Sequence, residues 1–432
     1  VHLPLAYNPR VPLTSNTADS AGEPISHPVR TVADRCPGVL RLAEAADGHL
    51  ARVRLPGGFV AAGQLRALAR LAGELGDGRI ELTSRGNVQL RALAARDAAL
   101  LTGELAAAGL LPSLEHDRVR NVLASPLAGL DGGPGLSSVV GALDAGLCAR
   151  PRLAGLPGRF LFAVDDGRGD VAGLGADVVA VVRAGGASVN GLAVNGATAD
   201  GHADAVAAVM LAFAEAFLDE RAALESAAWR IADLPGGPDR VRAVVAERLG
   251  LTPAPTPGDM SAHGHSPGRA DPAARPVGVI AGRAAGDGGR LDGGPVRDEG
   301  GAAVALLAPL GRLTVGQIGW LAGQVRGGPA RITPWRSVIL PDQDDAVRLL
   351  SEAAELGFGV DERSLWLRVT ACAGRPGCAS ALADVQADAA GFAAHWPDRI
   401  VHLSGCARHC GRPAATEIDV TATGEGYQID GA

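Results

Sequence analysis

The hydrophobic and polar positions switch between two periods along the chain, and the switching lays out the elements. Residues 50–55 alternate apolar with basic side chains, the two-residue period of a half-buried strand. Pro56-Gly57-Gly58 turns the chain. Residues 62–75 take up a helical period, which Gly76-Asp77-Gly78 stops. Residues 79–93 hold two short strand-like runs around Ser84-Arg85-Gly86-Asn87, and residues 94–108 are helical again up to Gly109. Strand, helix, strand, strand, helix is the order and size of a ferredoxin-like half-domain.

From 110 to 250 the pattern is mixed α/β. It predicts helices over 139–149, 203–225 and 238–249, and strands over 159–164, 178–182 and 191–194. Residues 252–275 are rich in Pro, Gly, Ser and Ala without periodicity and read as a linker. His263 and His265 inside it read as solvated.

Beyond the linker the first pattern recurs: a strand at 304–307, a turn at Gly311, helix 315–325, a strand at 337–340, helix 346–356 and strand 365–370. Setting Gln317 against Gln64 puts Arg336 opposite Arg85 with a two-residue slip. The strand at 365–370 delivers Cys372 much as the segment through Val122 delivers Ser125 and Pro126. The fold class expected is α+β with two pseudo-symmetric halves, each a ferredoxin-like half-domain plus a larger α/β segment. The expected divisions are an extended arm (1–30), half-domain 1 (31–110), α/β domain 1 (111–251), the linker (252–275), half-domain 2 (276–343) and α/β domain 2 (344–432). Paired halves create an interface, a common place for a large-ligand site.

Composition narrows the function. A chain of 432 residues can bury more than one core. The net charge of −7 argues against a general nucleic-acid binder. All 40 basic residues are arginine, the strong cation available for an anionic ligand. The first thirty residues are polar and proline-containing, without the apolar core of a signal peptide. The longest apolar run, 205–214, is too short to span a bilayer. The expectation is a cytoplasmic chain, with no membrane or nucleic-acid partner and with its thiols reduced.

Four cysteines near the C-terminus are the strongest chemical signal. Cys372 and Cys378 lie in Ala371-Cys372-Ala373-Gly374-Arg375-Pro376-Gly377-Cys378, and Cys406 and Cys410 in Ser404-Gly405-Cys406-Ala407-Arg408-His409-Cys410. The gaps are five, twenty-seven and three residues. Four thiolates suit zinc or a 4Fe–4S cluster, and the same residues could be two disulfides or inert core thiols. Structural zinc pairs are usually spaced by two to four residues, so the five-residue gap favours a cluster. The remaining Cys36 and Cys148 read as small buried hydrophobes. Arg54, Arg85, Arg120 and Arg159 each stand at a turn or strand end, where a planar guanidinium suits a carboxylate. Each alone reads more readily as a surface or packing arginine, and their recurrence at turn and strand ends is what raises the binding reading.

Arg54-Leu55-Pro56-Gly57-Gly58, Leu82-Thr83-Ser84-Arg85 with Gln89, Arg120-Asn121-Val122, Leu156-Pro157-Gly158-Arg159-Phe160 and the four cysteines run in one order over 35–412. In this the chain resembles the sirohaem-dependent sulfite and nitrite reductase superfamily. Arg35-Cys36-Pro37-Gly38, Phe160-Leu161-Phe162-Ala163-Val164-Asp165-Asp166-Gly167 and Thr333-Pro334-Trp335-Arg336 resemble its precorrin-3B synthase branch. The reductases carry a basic pair, spaced by one residue, that holds the sulfite or nitrite anion. Here Arg159 stands at the first position and Leu161 at the second, and leucine cannot bind an anion.

That branch implies an oxidoreductase, an iron–sulfur monooxygenase, of aerobic cobalamin biosynthesis. Its substrates are precorrin-3A and dioxygen, and its reaction hydroxylates the macrocycle and closes a lactone with an acetate side chain. The resemblance implies a 4Fe–4S cluster on Cys372, Cys378, Cys406 and Cys410, an associated non-haem iron, and an electron donor, either an NADH-linked reductase or ferredoxin. Precorrin-3A carries eight carboxylates. Arg54, Arg85, Arg120 and Arg159 are the expected anchors, with Gln89 and Asn121 as further donors and Arg336 reaching in from the second half. His116 with Asp117, and His402 or His409, are the candidates near which an iron would be sought; none is selected by spacing, and no catalytic residue is assigned. The alternative is a reductase that holds sirohaem as cofactor; a zinc-stapled binding module would be a different class.

Overall fold

The computed structural model describes residues 34, 36–130, 132–194, 202–254, 277–280, 302–413 and 415–431. The expected N-terminal arm and nearly all of the linker, with His263 and His265, lie outside the described residues.

The first ferredoxin-like segment contains β1 (Ala43–Ala45), β2 (Gly48–Val53), β3 (Phe59–Val60), α1 (Ala62–Leu75), β4 (Arg79–Leu82), β5 (Val88–Leu93) and α2 (Ala98–Ala107). The period-2 run therefore forms a strand, and the helical pattern over 62–75 forms a helix with those bounds. The chain next builds β6 (Val122–Ala124), α3 (Ser137–Cys148), β7 (Phe162–Asp165), β8 (Val178–Arg183), β9 (Gly186–Val189), β10 (Leu192–Val194), α4 (His202–Ala223) and α5 (Gly237–Leu249). These strands form one sheet in the order β10-β9-β8-β7-β6, with β6, β7 and β8 parallel. Phe160, Phe162, Phe213 and Phe217 lie at the centre of its core.

The second half repeats the plan. After β11 (Gly278–Ile280) come β12 (Ala302–Leu307), β13 (Arg312–Thr314), α6 (Val315–Gln324), β14 (Ala330–Ile332), β15 (Ser337–Gln343) and α7 (Ala346–Glu355). The last segment is β16 (Val369–Ala371), α8 (Val385–His395), β17 (Val401–Ser404), β18 (Ile418–Ala422) and β19 (Tyr427–Asp430). Its sheet runs β16-β17-β18-β19 with the first three strands parallel.

The two ferredoxin-like segments exchange strands. β13 pairs with β4, completing the sheet β1-β2-β5-β4-β13, and β3 pairs with β14, completing β11-β12-β15-β14-β3. The turns before the exchanged strands match. Gly58 N–H donates to Leu55 O at 2.8 Å, and Gly311 N–H donates to Ala308 O at 2.9 Å. Gly58 has φ 73°, and a Cβ there would stand 2.0 Å from Ile332 O in the other half. Only glycine permits that backbone and that approach together. Leu65, Leu68 and Leu71 of α1 share one core with Ile318 and Leu321 of α6. At about 1.5–3 kcal/mol per fully buried side chain, this shared layer holds the halves as one body.

The expected repeat is present, with a different register at the hairpin. Thr83 N–H bonds to Asn87 O and Thr333 N–H to Ser337 O, each at 2.9 Å; Gly86 N–H bonds to Thr83 O and Arg336 N–H to Thr333 O, each at 3.1 Å. Trp335 is therefore the counterpart of Arg85, and Arg336 the counterpart of Gly86. Arg336 takes the same left-handed backbone, φ 63° against 64°. The expected strand over 159–164 starts only at Phe162, because Arg159 still belongs to the turn after Pro157-Gly158. Residues 365–367 form a 3₁₀ turn before β16, a correction to the strand expected over 365–370.

Candidate functional site

The turn-and-strand-end arginines gather on one side of half 1. Arg52 and Arg54 lie on or just after β2, Arg85 on the β4–β5 hairpin and Arg159 on the turn into β7. Arg230, after α4, joins them. Arg85 is held below the usual arginine range, first by burial and then by Arg230, Arg52 and Arg159. Arg54, 2% exposed, is brought down to about 9, first by burial and then by Arg52. Its Nη2 donates to Pro37 O (3.1 Å) and Arg118 O (3.3 Å), whereas Nε and Nη1 are buried without a partner among the described residues. Arg159 stacks over the Trp229 ring at 4.9 Å. Arg230 pairs with Asp177 at 2.5 Å. Among the described residues, Arg52, Arg54, Arg85 and Arg159 have no ion-pair partner. Like charges held close are unfavourable in the free protein, and they become favourable when a polyanion enters.

Arg120 and the two amides serve the walls. Arg120, 4% exposed, forks onto Asp144 with both bonds at 2.7 Å and donates to Leu110 O. Asn121 donates to Arg118 O and Gly158 O, both at 3.0 Å. Gln89 accepts from Arg52 Nε at 3.0 Å and donates to Glu81 at 3.0 Å, which aims Arg52. Arg54 and Arg120 line a common cavity of about 270 Å³ with Phe59, Gln64, Ser137 and Asp144. Cys36 is half-buried rather than a core thiol, a correction. It lies beside these arginines, its thiol pushed up by burial and by Asp34. Cys148 is half-buried at the end of α3. Gly158 packs so closely on Cys36 that an added Cβ would come within 2.9 Å of the Cys36 Cβ.

The four cysteines sit on two loops at the carboxyl ends of β16 and β17, the usual ligand end of parallel strands. Cys372 N–H bonds to Leu403 O at 3.0 Å, and Gly405 N–H donates to the Cys372 Sγ at 3.1 Å. Arg91 ties the first loop to half 1. It forks onto Asp47 at 3.0 Å and donates to Gly377 O at 2.8 Å. Asp419 on β18 braces the second loop, accepting from His409 Nδ1 at 3.0 Å and Arg412 Nε at 2.9 Å. A cavity of about 280 Å³ lies beside the second cysteine loop, lined by Ser84, Trp335, Arg336, Trp366, Thr370 and Gly411. Arg336, brought below its ordinary range by burial, enters it without an ion-pair partner among the described residues.

Four thiols on two neighbouring loops are a donor set that an iron–sulfur cluster can use. Tetrahedral zinc, at about 2.3 Å from each sulfur, draws thiolates to roughly 3.8 Å of one another. Among the described residues, Asp165, Asp166 and Asp170 bring three ligand atoms within 4.8 Å of one another, and no three of the cysteine sulfurs do so. Among the described residues, no group of three ligand atoms within 4.8 Å of one another includes His116, His402 or His409. His116 uses Nδ1 on Ser113 Oγ (2.8 Å) and Nε2 on Arg150 O (3.0 Å), and Asp117 accepts the Val39 and Leu40 N–H groups. Asp165 accepts four backbone N–H groups and Asp166 pairs with Arg168, so that loop is internally satisfied.

Arg52, Arg230 and Trp229 were not singled out by the sequence. The alternation that includes Arg52 was the available signal; Arg230 and Trp229 join the arginines only through the fold.

Comparison with known proteins agrees with this geometry. Residues 43–108 match the nitrite/sulfite reductase ferredoxin-like half domain. The NirA protein of Mycobacterium tuberculosis has the same fold, with a TM-score of 0.64 at 21% identity over 88% of this chain and 74% of that one. A ferredoxin–nitrite reductase of Synechococcus elongatus is 36% identical over 28% of this chain, and one of Leptolyngbya laminosa 39% identical over 18%. These alignments span only 25% and 16% of those two enzymes. Its first ferredoxin-like segment is thus similar to that of the nitrite and sulfite reductases, and its fold is that of NirA. Its long-range likeness is more particular: a precorrin-3B synthase of Sinorhizobium is 27% identical over 91% of this chain and 82% of its own length. Among the described residues no helix is long and apolar enough to cross a membrane.

Proposed function

We propose that this chain is an iron–sulfur monooxygenase that takes precorrin-3A as substrate, hydroxylates it with dioxygen and closes a lactone, as precorrin-3B synthases do. The observation that carries this reading is Leu161. It stands where the reductases carry the second basic residue of their anion pair, and it is 2% exposed, packed with Leu123, Ala163 and Val171. An enzyme whose tetrapyrrole is substrate has no need of that pair.

In this reading Arg52, Arg54, Arg85, Arg159 and Arg230 bind carboxylates around the macrocycle edge. Trp229 keeps the Arg159 guanidinium flat, and Gln89 aims Arg52. Arg336, Trp335 and Trp366 meet the ligand from half 2, giving an apolar wall with one cation. Arg120 and Asn121 keep the wall in place. Cys372, Cys378, Cys406 and Cys410 would hold the 4Fe–4S cluster, which supplies single electrons received from a ferredoxin or an NADH-linked reductase. The Gly405 N–H aimed at Cys372 Sγ stabilises thiolate charge. One oxygen atom ends in the product and the other in water, at the cost of two electrons and two protons. A sirohaem reductase is the second reading, favoured by the local likeness to two ferredoxin–nitrite reductases.

The test is a visible spectrum of anaerobically purified protein, with iron, sulfide, zinc and extractable tetrapyrrole assayed on the same sample. A broad cluster shoulder with iron and sulfide, and no sirohaem bands, supports the proposal. Strong sirohaem bands contradict it, and zinc in a colourless protein contradicts any redox role.

A further inference from the structure

Among the described residues, three buried polar atoms beneath the cysteine loops have no hydrogen-bond partner: His402 Nε2, Asp419 Oδ1 and Thr421 Oγ1. His402 is 0%, Asp419 6% and Thr421 8% exposed. Strand register explains why they are neighbours. Thr370 of β16 pairs with His402 of β17, which pairs with Asp419 of β18; Thr421 lies two residues further along the same strand. Val401, Leu403, Ile418 and Val420 face the α8 side, so the alternating His402, Asp419 and Thr421 share the opposite face. An unpaired buried polar group costs about 1–3 kcal/mol, and three together on one face call for an explanation.

The ends of this row are connected. Thr370 Oγ1 lies 2.8 Å from His402 Nδ1 and lines the cavity shared with Arg336 and Gly411. At the other end Asp419 Oδ2 meets His409 and Arg412, whose side chains are 36% and 48% exposed. A divalent cation does not suit the gap. Arg412 already occupies one carboxylate oxygen, and Arg336 and Arg412 add positive charge around His402. A water with acceptor and donor partners in His402, Asp419 and Thr421 does suit it.

We propose that Asp419, His402 and Thr370 form a proton path from the surface beside Arg412 to the cavity next to the cysteine loops. His402 Nε2 takes a proton from the bridging water as Nδ1 releases one to Thr370 Oγ1. The hydroxyl passes its own proton to the acceptor in the cavity, and the water recovers one from solvent at Asp419. One proton moves and no electron does. Burial holds His402 near a pKa of about 4, so the ring starts neutral and can exchange tautomers. The cavity is the one assigned to the ligand above, but the path serves any proton-consuming reduction there.

The experiment compares wild type, His402→Phe and Thr370→Val as purified, matched for iron and sulfide content. Each is supplied with reduced ferredoxin and assayed in turn on precorrin-3A with dioxygen, on sulfite and on nitrite. The acceptor that wild type turns over decides the functional reading. The variants' rate on that same acceptor decides the path. Expected is a tenfold or greater loss of kcat in both variants with ligand affinity unchanged, and a solvent deuterium effect that is larger than in wild type. With dioxygen as acceptor, reduced oxygen species should be released in place of product. Wild-type kcat, coupling and isotope effect in both variants would overturn the proposal.

Discussion

Ser125 and Cys372 occupy the same place in the two halves. Ser125 N–H bonds to Val164 O and Cys372 N–H to Leu403 O, each at 3.0 Å. Asp166 N–H then donates to Ser125 Oγ at 3.2 Å, as Gly405 N–H donates to Cys372 Sγ at 3.1 Å. One strand end thus carries two chemistries. In half 1 the loop is filled by Asp165, Asp166 and Asp170; in half 2 it is lined by thiols.

That relationship predicts opposite outcomes for matched substitutions. Cys372→Ser should remove most of the iron and sulfide, since a hydroxyl is a poor ligand for a cluster. Ser125→Ala should leave both unchanged and lower stability by about 1–2 kcal/mol through its lost hydrogen bonds. Metal analysis and thermal melts of both variants check this.

Arg85→Gln should act in opposite directions on the empty and the loaded protein. Without ligand it relieves repulsion from Arg230, Arg52 and Arg159 and should stabilise by on the order of 0.5–1 kcal/mol. Tetrapyrrole affinity should fall about tenfold or more, given that a hydrogen bond to a charged group contributes about 1.5–3 kcal/mol. Melting curves with and without ligand measure both effects.

Asp170 sets a pH dependence. Burial raises it from 3.8 to about 6, with Asp165 and Asp166 adding to the rise and Ser125 opposing it. The folded state therefore holds its proton in a range where the unfolded chain has lost it. Stability from this group should fall as pH rises from about 4 to 6 and then stay level. Asp170→Asn should remove that slope and stabilise the protein at neutral pH by about 1–3 kcal/mol. Denaturant titrations across that range test the sign.

Arg91→Ala should uncouple the first cysteine loop from half 1. It removes the donor to Gly377 O and leaves Asp47 without its fork. A loss of about 2–4 kcal/mol is expected, together with faster release of iron to a chelator. Unchanged chelation kinetics would show that the tie is dispensable.

Much of this was legible in the chain because local signals were strong. The period-2 run before Pro56-Gly57-Gly58 and the clean stop after Leu75 specified β2 and α1, and the cysteine spacing marked the candidate site. The repeat was visible, but its register was not. Helix α1 has 14 residues and α6 has 10, so aligning Gln64 with Gln317 misplaces the hairpin that follows, and Arg336 lands near Arg85 instead of on Gly86. The strand exchange was hidden because Phe59–Val60 and Arg312–Thr314 are too short to announce themselves, and their partners lie more than two hundred residues away. The strand expected at 365–370 failed where tight local hydrogen bonding takes residues 365–367 into a 3₁₀ turn. Arg230 and the His402–Asp419 row come from long-range packing and strand register, which no local pattern encodes.

In the proposed reaction the macrocycle is substrate and dioxygen the oxidant. Its most direct test is mass spectrometry of the product formed from precorrin-3A by cluster-loaded protein and reduced ferredoxin under isotopically labelled dioxygen. The account predicts a hydroxylated lactone carrying one labelled oxygen atom. Unaltered precorrin-3A, from a preparation that reduces sulfite or nitrite under the same reductant, would contradict it.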